Sequence, residues 1–99
     1  MSARETAERH GQDVAAGNMR GAAADFTPEA LKEFTTVIVP AGDGPPEGTN
    51  QANVLSQRRE GDQEIFEIEY SNGRESRRLR STWSQVGDAW KITKLEPVK

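Results

Sequence analysis

The chain has no cysteine, which excludes disulfides, thiolate metal sites and a cysteine nucleophile and leaves its redox compartment undetermined. It has one histidine, so multi-histidine metal sites are excluded too. An excess of one charge sign is also missing. Thirteen bases against 16 acids leave −3, too near neutral to point to nucleic acid or an anionic membrane surface as partner. No apolar run approaches the roughly 20 residues of a membrane span. The charged start, MSARETAERH, lacks the pattern of a secretory signal, so the expected location is cytoplasmic. Apolar residues are scarce: 33% of the chain, with 6% aromatic against 29% charged, a lean but not disorder-like balance. A phosphate-binding glycine loop, a nucleophile elbow and metal-ligand spacing are all missing, so no cofactor and no metal are expected. Acid–base chemistry, which needs only one or two placed groups, survives these exclusions. The 99 residues make one domain, 1–99, with a modest core that any ligand pocket must share.

What is present begins with helix, over about residues 2–35. Ser2 and Glu5 have the spacing of a capping box, and Ala3, Ala7, His10 or Gly11, Val14 and Asn18 recur on one face, predicting a helix to about Asn18. A short helical piece over Met19 to Ala24 follows. Thr27-Pro28-Glu29 is a cap, a first-turn proline and an acid at the positive helix end, with Phe26 and Leu31 placed as a hydrophobic staple, predicting a third helix to about Phe34. Thr36-Val37-Ile38-Val39 reads as a short edge strand stopped by Pro40. Residues 40–50, PAGDGPPEGTN, are a loop by composition, either a lid or a connection.

Residues 51–97 read as four strands joined at Gly61-Asp62, Asn72-Gly73 and Gly87-Asp88. Counting outward from two-residue turns sets Leu55 opposite Ile68, Phe66 opposite Leu79, Tyr70 opposite Glu75, and Trp83 opposite Ile92. All three turns then agree on one apolar face of Leu55, Phe66, Ile68, Tyr70, Leu79, Trp83, Trp90 and Ile92. The other face is charged, with Glu67 set across from Arg78. The fold class is α+β, with N-terminal helices packed on one face of a curved antiparallel sheet in a cone-like arrangement.

That order resembles the nuclear-transport-factor-2-like superfamily, the cystatin-like α+β cone that includes polyketide-cyclase, ketosteroid-isomerase and dehydratase-type folds. The resemblance rests on Ala15-Ala16-Gly17-Asn18, Ala24-Asp25-Phe26-Thr27-Pro28-Glu29-Ala30, Val54-Leu55-Ser56 and Glu67-Ile68-Glu69-Tyr70. Leu79-Arg80-Ser81-Thr82-Trp83 and Val86-Gly87-Asp88-Ala89-Trp90-Lys91-Ile92 complete it. These motifs specify the cone and not a reaction. The region between Phe34 and Asn53 is shorter than is typical of the superfamily, which argues against a deep, closed pocket. The resemblance implies that the first helix borders a cavity, and that an acid near Asp25 serves as a base in some members.

Within that frame His10 is the candidate general acid or base, being the one side chain that ordinarily titrates near neutrality. Its plainer reading is a helix-edge histidine, bonded to a backbone carbonyl or exposed. Asp25, beside the cap of the next helix, reads first as a turn or capping residue. Gln57, Tyr70 and Arg77, with Glu75 nearby, could supply polar groups to an apolar cavity, or sit at the rim of the sheet. Trp83 could stack on a flat ligand, though two tryptophans on one sheet face are more often core. Arg78 and Arg80 fall on one face and Arg77 on the other, opposite glutamates, which speaks against a nucleic-acid patch. The leading expectation is a small apolar or amphipathic molecule bound between the first helix and the sheet by His10, Gln57, Tyr70, Arg77 and Trp83. One alternative is an isomerase, cyclase or dehydratase using His10 with Tyr70 or Asp25. The other is a homodimer formed through the sheet's Glu67, Arg78 and Arg80 face, without a ligand.

Overall fold

A computed structural model describes residues 1–99. The first helix, α1 (Ala3–Ala15), starts at the expected capping box: the Ser2 hydroxyl accepts from the Glu5 N–H at 3.1 Å, and the Glu5 carboxylate accepts from the Ser2 N–H at 2.9 Å. Its buried face carries Ala3, Thr6, Ala7, His10, Gly11 and Val14. Small residues there let α1 lie close to the sheet. A Cβ on Gly11 would stand only 3.1 Å from the Ala52 Cβ. The helix ends three residues before the predicted stop, because Asn18 caps the next one, α2 (Met19–Ala23), by accepting from the Gly21 N–H at 3.2 Å.

Thr27 caps α3 (Pro28–Glu33), accepting from the Ala30 N–H at 3.3 Å. The Thr36–Val39 strand is not formed. Those residues continue the helix as a wider turn, Phe34–Ile38, in which the Val39 N–H reaches back to the Phe34 carbonyl at 2.9 Å. One cause is visible: the Thr35 and Thr36 hydroxyls donate back to carbonyls of the preceding turn. Packing of Ile38 into the core and Phe34 against it overrides β-branched propensity.

The sheet has the expected order β1 (Gln51–Glu60), β2 (Gln63–Ser71), β3 (Ser76–Val86) and β4 (Ala89–Pro97), antiparallel throughout, curved and open, with the helices on one face. This is an α+β fold. The two short hairpins turn at Gly61-Asp62 and Gly87-Asp88, as read from the sequence. The middle one is wider. The Asn72 side-chain oxygen accepts from the N–H groups of both Arg74 and Glu75, at 2.8 Å each, and organises a loop over residues 72–75. Ile68 therefore pairs with Leu79, Tyr70 with Arg77, Glu67 with Arg80 and Glu69 with Arg78. The shift is by an even number of residues, so every side chain keeps its expected face.

Two bulges alter the inner face. One at Leu55 sets Val54 opposite Ile68 and turns Leu55 outward, 44% exposed. The other, at Thr93, reverses the alternation of β4 and brings Leu95 into the core. Phe66, Trp83 and Ile92 are fully buried at its centre. The outer face neutralises itself, with Arg80–Glu67 at 3.1 Å and Arg78–Glu69 at 3.4 Å. No helix is long and apolar enough to cross a membrane.

Candidate functional site

A cavity of about 470 Å³ lies between α1 and the inner face of the sheet, within the range of small-molecule sites. Its walls come from every part of the chain. His10 and Val14 project from α1, Ala22 from α2, Phe26 and Phe34 from the α3 region, and Tyr70, Leu79 and Leu95 from the sheet. The two phenylalanine rings pack together at 5.3 Å between centroids, which holds that wall as one unit. Leu31, expected to staple Phe26, lines the same cavity.

The fourth wall is the 40–50 loop, through Pro45, Pro46, Gly48 and Thr49. Its sequence is too rich in Pro and Gly to build structure alone, and the β2–β3 hairpin holds it. The Asn72 amide donates to the Glu47 carbonyl at 2.8 Å and Arg77 donates to the Gly44 carbonyl at 2.9 Å. The region between Phe34 and Asn53 therefore closes one side of the cavity.

His10 is buried, 4% exposed, and its Nδ1 lies 2.9 Å from the Asp25 carboxylate. Asp25 also accepts from Arg9, which bridges to Asp13 at 2.6 Å. The carboxylate that the sequence did not reveal beside His10 is therefore present, and the capping role expected for Asp25 is corrected. Backbone pairing explains the placement. The Ile92 N–H donates to the Asp25 carbonyl at 2.7 Å, and the Thr27 N–H donates to the Ile92 carbonyl at 2.9 Å, so β4 holds the residue with its carboxylate turned towards α1. Burial pushes the Asp25 carboxyl up, but the hydrogen bonds and charges of His10 and Arg9 outweigh it and hold the group below the ordinary carboxylate range. Arg9 is likewise pulled down by burial and, on balance, raised by its two carboxylates.

The His10 ring is wedged edge-on between Phe26, 5.8 Å away, and Trp83, 5.6 Å away. Its Nε2 has no protein partner, nor does the Tyr70 hydroxyl, although Tyr70 is 2% exposed. No fully enclosed side-chain nitrogen or oxygen in the molecule lacks a hydrogen bond. Both free atoms therefore open onto the cavity that both residues line. Burial pushes the Tyr70 hydroxyl well above the ordinary phenol range, so it is a neutral donor.

Of the five residues singled out from the sequence, His10 and Tyr70 meet at the cavity. Trp83 is fully buried behind His10, its indole N–H donating to the Ser81 hydroxyl at 2.9 Å, and belongs to the core. Arg77 ties the loop and pairs with Glu75 at 3.1 Å, so both act on the cavity wall from outside it. Gln57 lies opposite Phe66, farther along the ladder from Tyr70, and its amide donates to Glu64 at 3.0 Å. No three His, Cys, Asp or Glu side chains cluster at metal-binding distance. Asp25 entered the sequence reading only as a helper of His10 in the acid–base alternative, and Arg9 is the site residue it passed over; the Arg9–Asp13 spacing on a helix face was the signal available for it. Compared with models of protein families, with curated proteins and with solved structures, the chain finds no match.

Proposed function

We propose that this protein binds a small apolar or amphipathic molecule in the cavity between α1 and the sheet. The observation that carries this reading is a pair of polar atoms on buried residues, His10 Nε2 and the Tyr70 hydroxyl, that make no hydrogen bond within the protein and open onto a mostly apolar space of about 470 Å³. Polar atoms facing an apolar cavity are ready partners for a ligand, and a chain this lean in apolar residues gains nothing in stability from a hollow. An occupant resolves both features. The test is a fluorescence titration with N-phenyl-1-naphthylamine, a neutral apolar probe. Saturable one-to-one binding is expected, lost in Ala23→Phe, which places a ring in the cavity from its half-buried wall. Binding that is non-saturable, or unchanged in Ala23→Phe, sinks the reading.

A second reading, acid–base catalysis of an isomerase, cyclase or dehydratase kind, is favoured by the Asp25–His10 hydrogen bond. A carboxylate on Nδ1 orients an imidazole and supports its gain of a proton at Nε2. Membership of the nuclear-transport-factor-2-like superfamily is part of the same proposal. It draws on the order of elements, with helices first and a curved antiparallel sheet after them, and on a cavity between the two.

A further inference from the structure

The chemistry of the occupant can be narrowed from the polar atoms it would meet, an inference that rests on the binding reading above. Apart from His10 no ionisable acid or base of the Asp, Glu, Lys or Arg kind lines the cavity. The charged groups nearby, Arg9, Asp13 and Asp25, are engaged with one another behind the His10 ring. An anion or cation placed in the cavity would be desolvated without a counter-charge, which is costly. The occupant is therefore neutral.

Its polar group follows from the tautomer of His10. A carboxylate can only accept, so a neutral imidazole bonded to it carries its proton on Nδ1 and presents Nε2 as a bare acceptor. Arg9 fixes this arrangement by donating to the other Asp25 oxygen. Two further side-chain hydroxyls in the lining, Thr35 and Thr49, already donate to backbone carbonyls. Besides hydroxyl oxygens, which can turn to accept, the side chains of the cavity offer one nitrogen that can only accept, at His10, and one free donor, at Tyr70. A ketone, ester or ether has no proton for His10 and would leave its Nε2 buried and unpaired. We propose that the cavity selects a neutral, largely apolar molecule bearing a hydroxyl group, an alcohol or phenol whose O–H donates to His10 Nε2.

Isothermal titration at pH 7.5, below the phenol range, compares three probes of similar shape: 2-naphthol, 2-methoxynaphthalene and 2-naphthoate. The naphthol is expected to bind about tenfold or more tightly than either of the others, the loss expected when a buried acceptor is left unpaired. In His10→Ala the preference for naphthol over the ether should vanish while the ether's own affinity persists. Asp25→Asn supplies a readout that a merely structural role would not move. Arg9 keeps the amide oxygen, the amide NH₂ faces Nδ1, and the proton moves to Nε2, so the ether should gain on the naphthol. Equal affinities for naphthol and ether in the unmodified protein, or tightest binding of the naphthoate, overturn this inference but leave the cavity as a binding site. Failure of all three together with N-phenyl-1-naphthylamine overturns both.

Discussion

The two faces of the sheet handle polar groups in opposite ways. On the outer face charges are abundant and answered: Arg80 by Glu67, Arg78 by Glu69, Lys94 by Glu96 and Arg58 by Glu60. Beneath them Ile65 and Thr82 are already buried within the single chain. The inner face has few polar atoms, yet two of them, His10 Nε2 and the Tyr70 hydroxyl, are left open. A run of arginines draws the eye in the sequence, but a site is marked by unmet hydrogen-bonding capacity in a dry place, not by density of charge. The inner face is itself divided. Around Trp83, Phe66 and Ile92 it is solid; between Tyr70, Leu79 and the phenylalanines it is hollow.

The largest expected effect tests that division. Trp83→Ala should destabilise the fold by about 3–5 kcal/mol, the usual cost of deleting a fully buried tryptophan. Tyr70→Phe, equally buried but with a hydroxyl that bonds to nothing in the protein, should stay within about 0.5 kcal/mol of the parent. Urea unfolding of both variants decides the point. A cost for Tyr70→Phe comparable to Trp83→Ala would mean that the hydroxyl is structurally engaged and that the inner face has no open site.

An intermediate effect is expected at Asp25. Its carboxyl is held below the ordinary range in the folded state and returns to about 3.9 when the chain unfolds. The folded protein thus binds fewer protons than the unfolded one in that window, so Asp25 contributes stability at neutral pH that is lost as pH falls below about 4. Asp25→Asn should cost about 1–3 kcal/mol at pH 7 through its bonds to His10 and Arg9. Its stability should then fall less steeply in acid than the parent's. Parallel melting-temperature profiles from pH 7 to pH 3 would sink the claim that this carboxylate is specifically stabilised.

The same residues show how far the sequence could be read. The helix starts at Ser2 and Thr27, the four strands and the inward set of Phe66, Ile68, Tyr70, Leu79, Trp83 and Ile92 follow from caps, turns and alternation, because those signals are local. What escaped was set by distance or by an extra residue. Leu55 and Leu95 exchange the faces that alternation gives them because a bulge costs one residue and leaves no mark in composition. Asp25 meets His10 across 15 residues through backbone bonds to β4, which no spacing rule encodes. The Thr36–Val39 run shows a local signal losing outright to packing.

The smallest effect separates the two registers available to the outer face. Counting from a two-residue turn at Asn72-Gly73 pairs Glu67 with Arg78; the four-residue loop pairs it with Arg80. Cross-strand ion pairs contribute only about 0.2–1 kcal/mol, so single reversals should be mild. Arg80→Glu should nonetheless set two acids facing each other, and adding Glu67→Arg should recover most of the loss. Arg78→Glu combined with Glu67→Arg should show no such recovery, since Arg78 answers to Glu69. A double-mutant cycle in low salt reads the coupling directly, because the failure of additivity is the pair's own interaction. Coupling between Glu67 and Arg78 in place of Arg80 would shift β3 by two positions along β2. Tyr70 would still face inward, but opposite Glu75 instead of Arg77, and the arginine that ties the 40–50 loop over the cavity would be out of place.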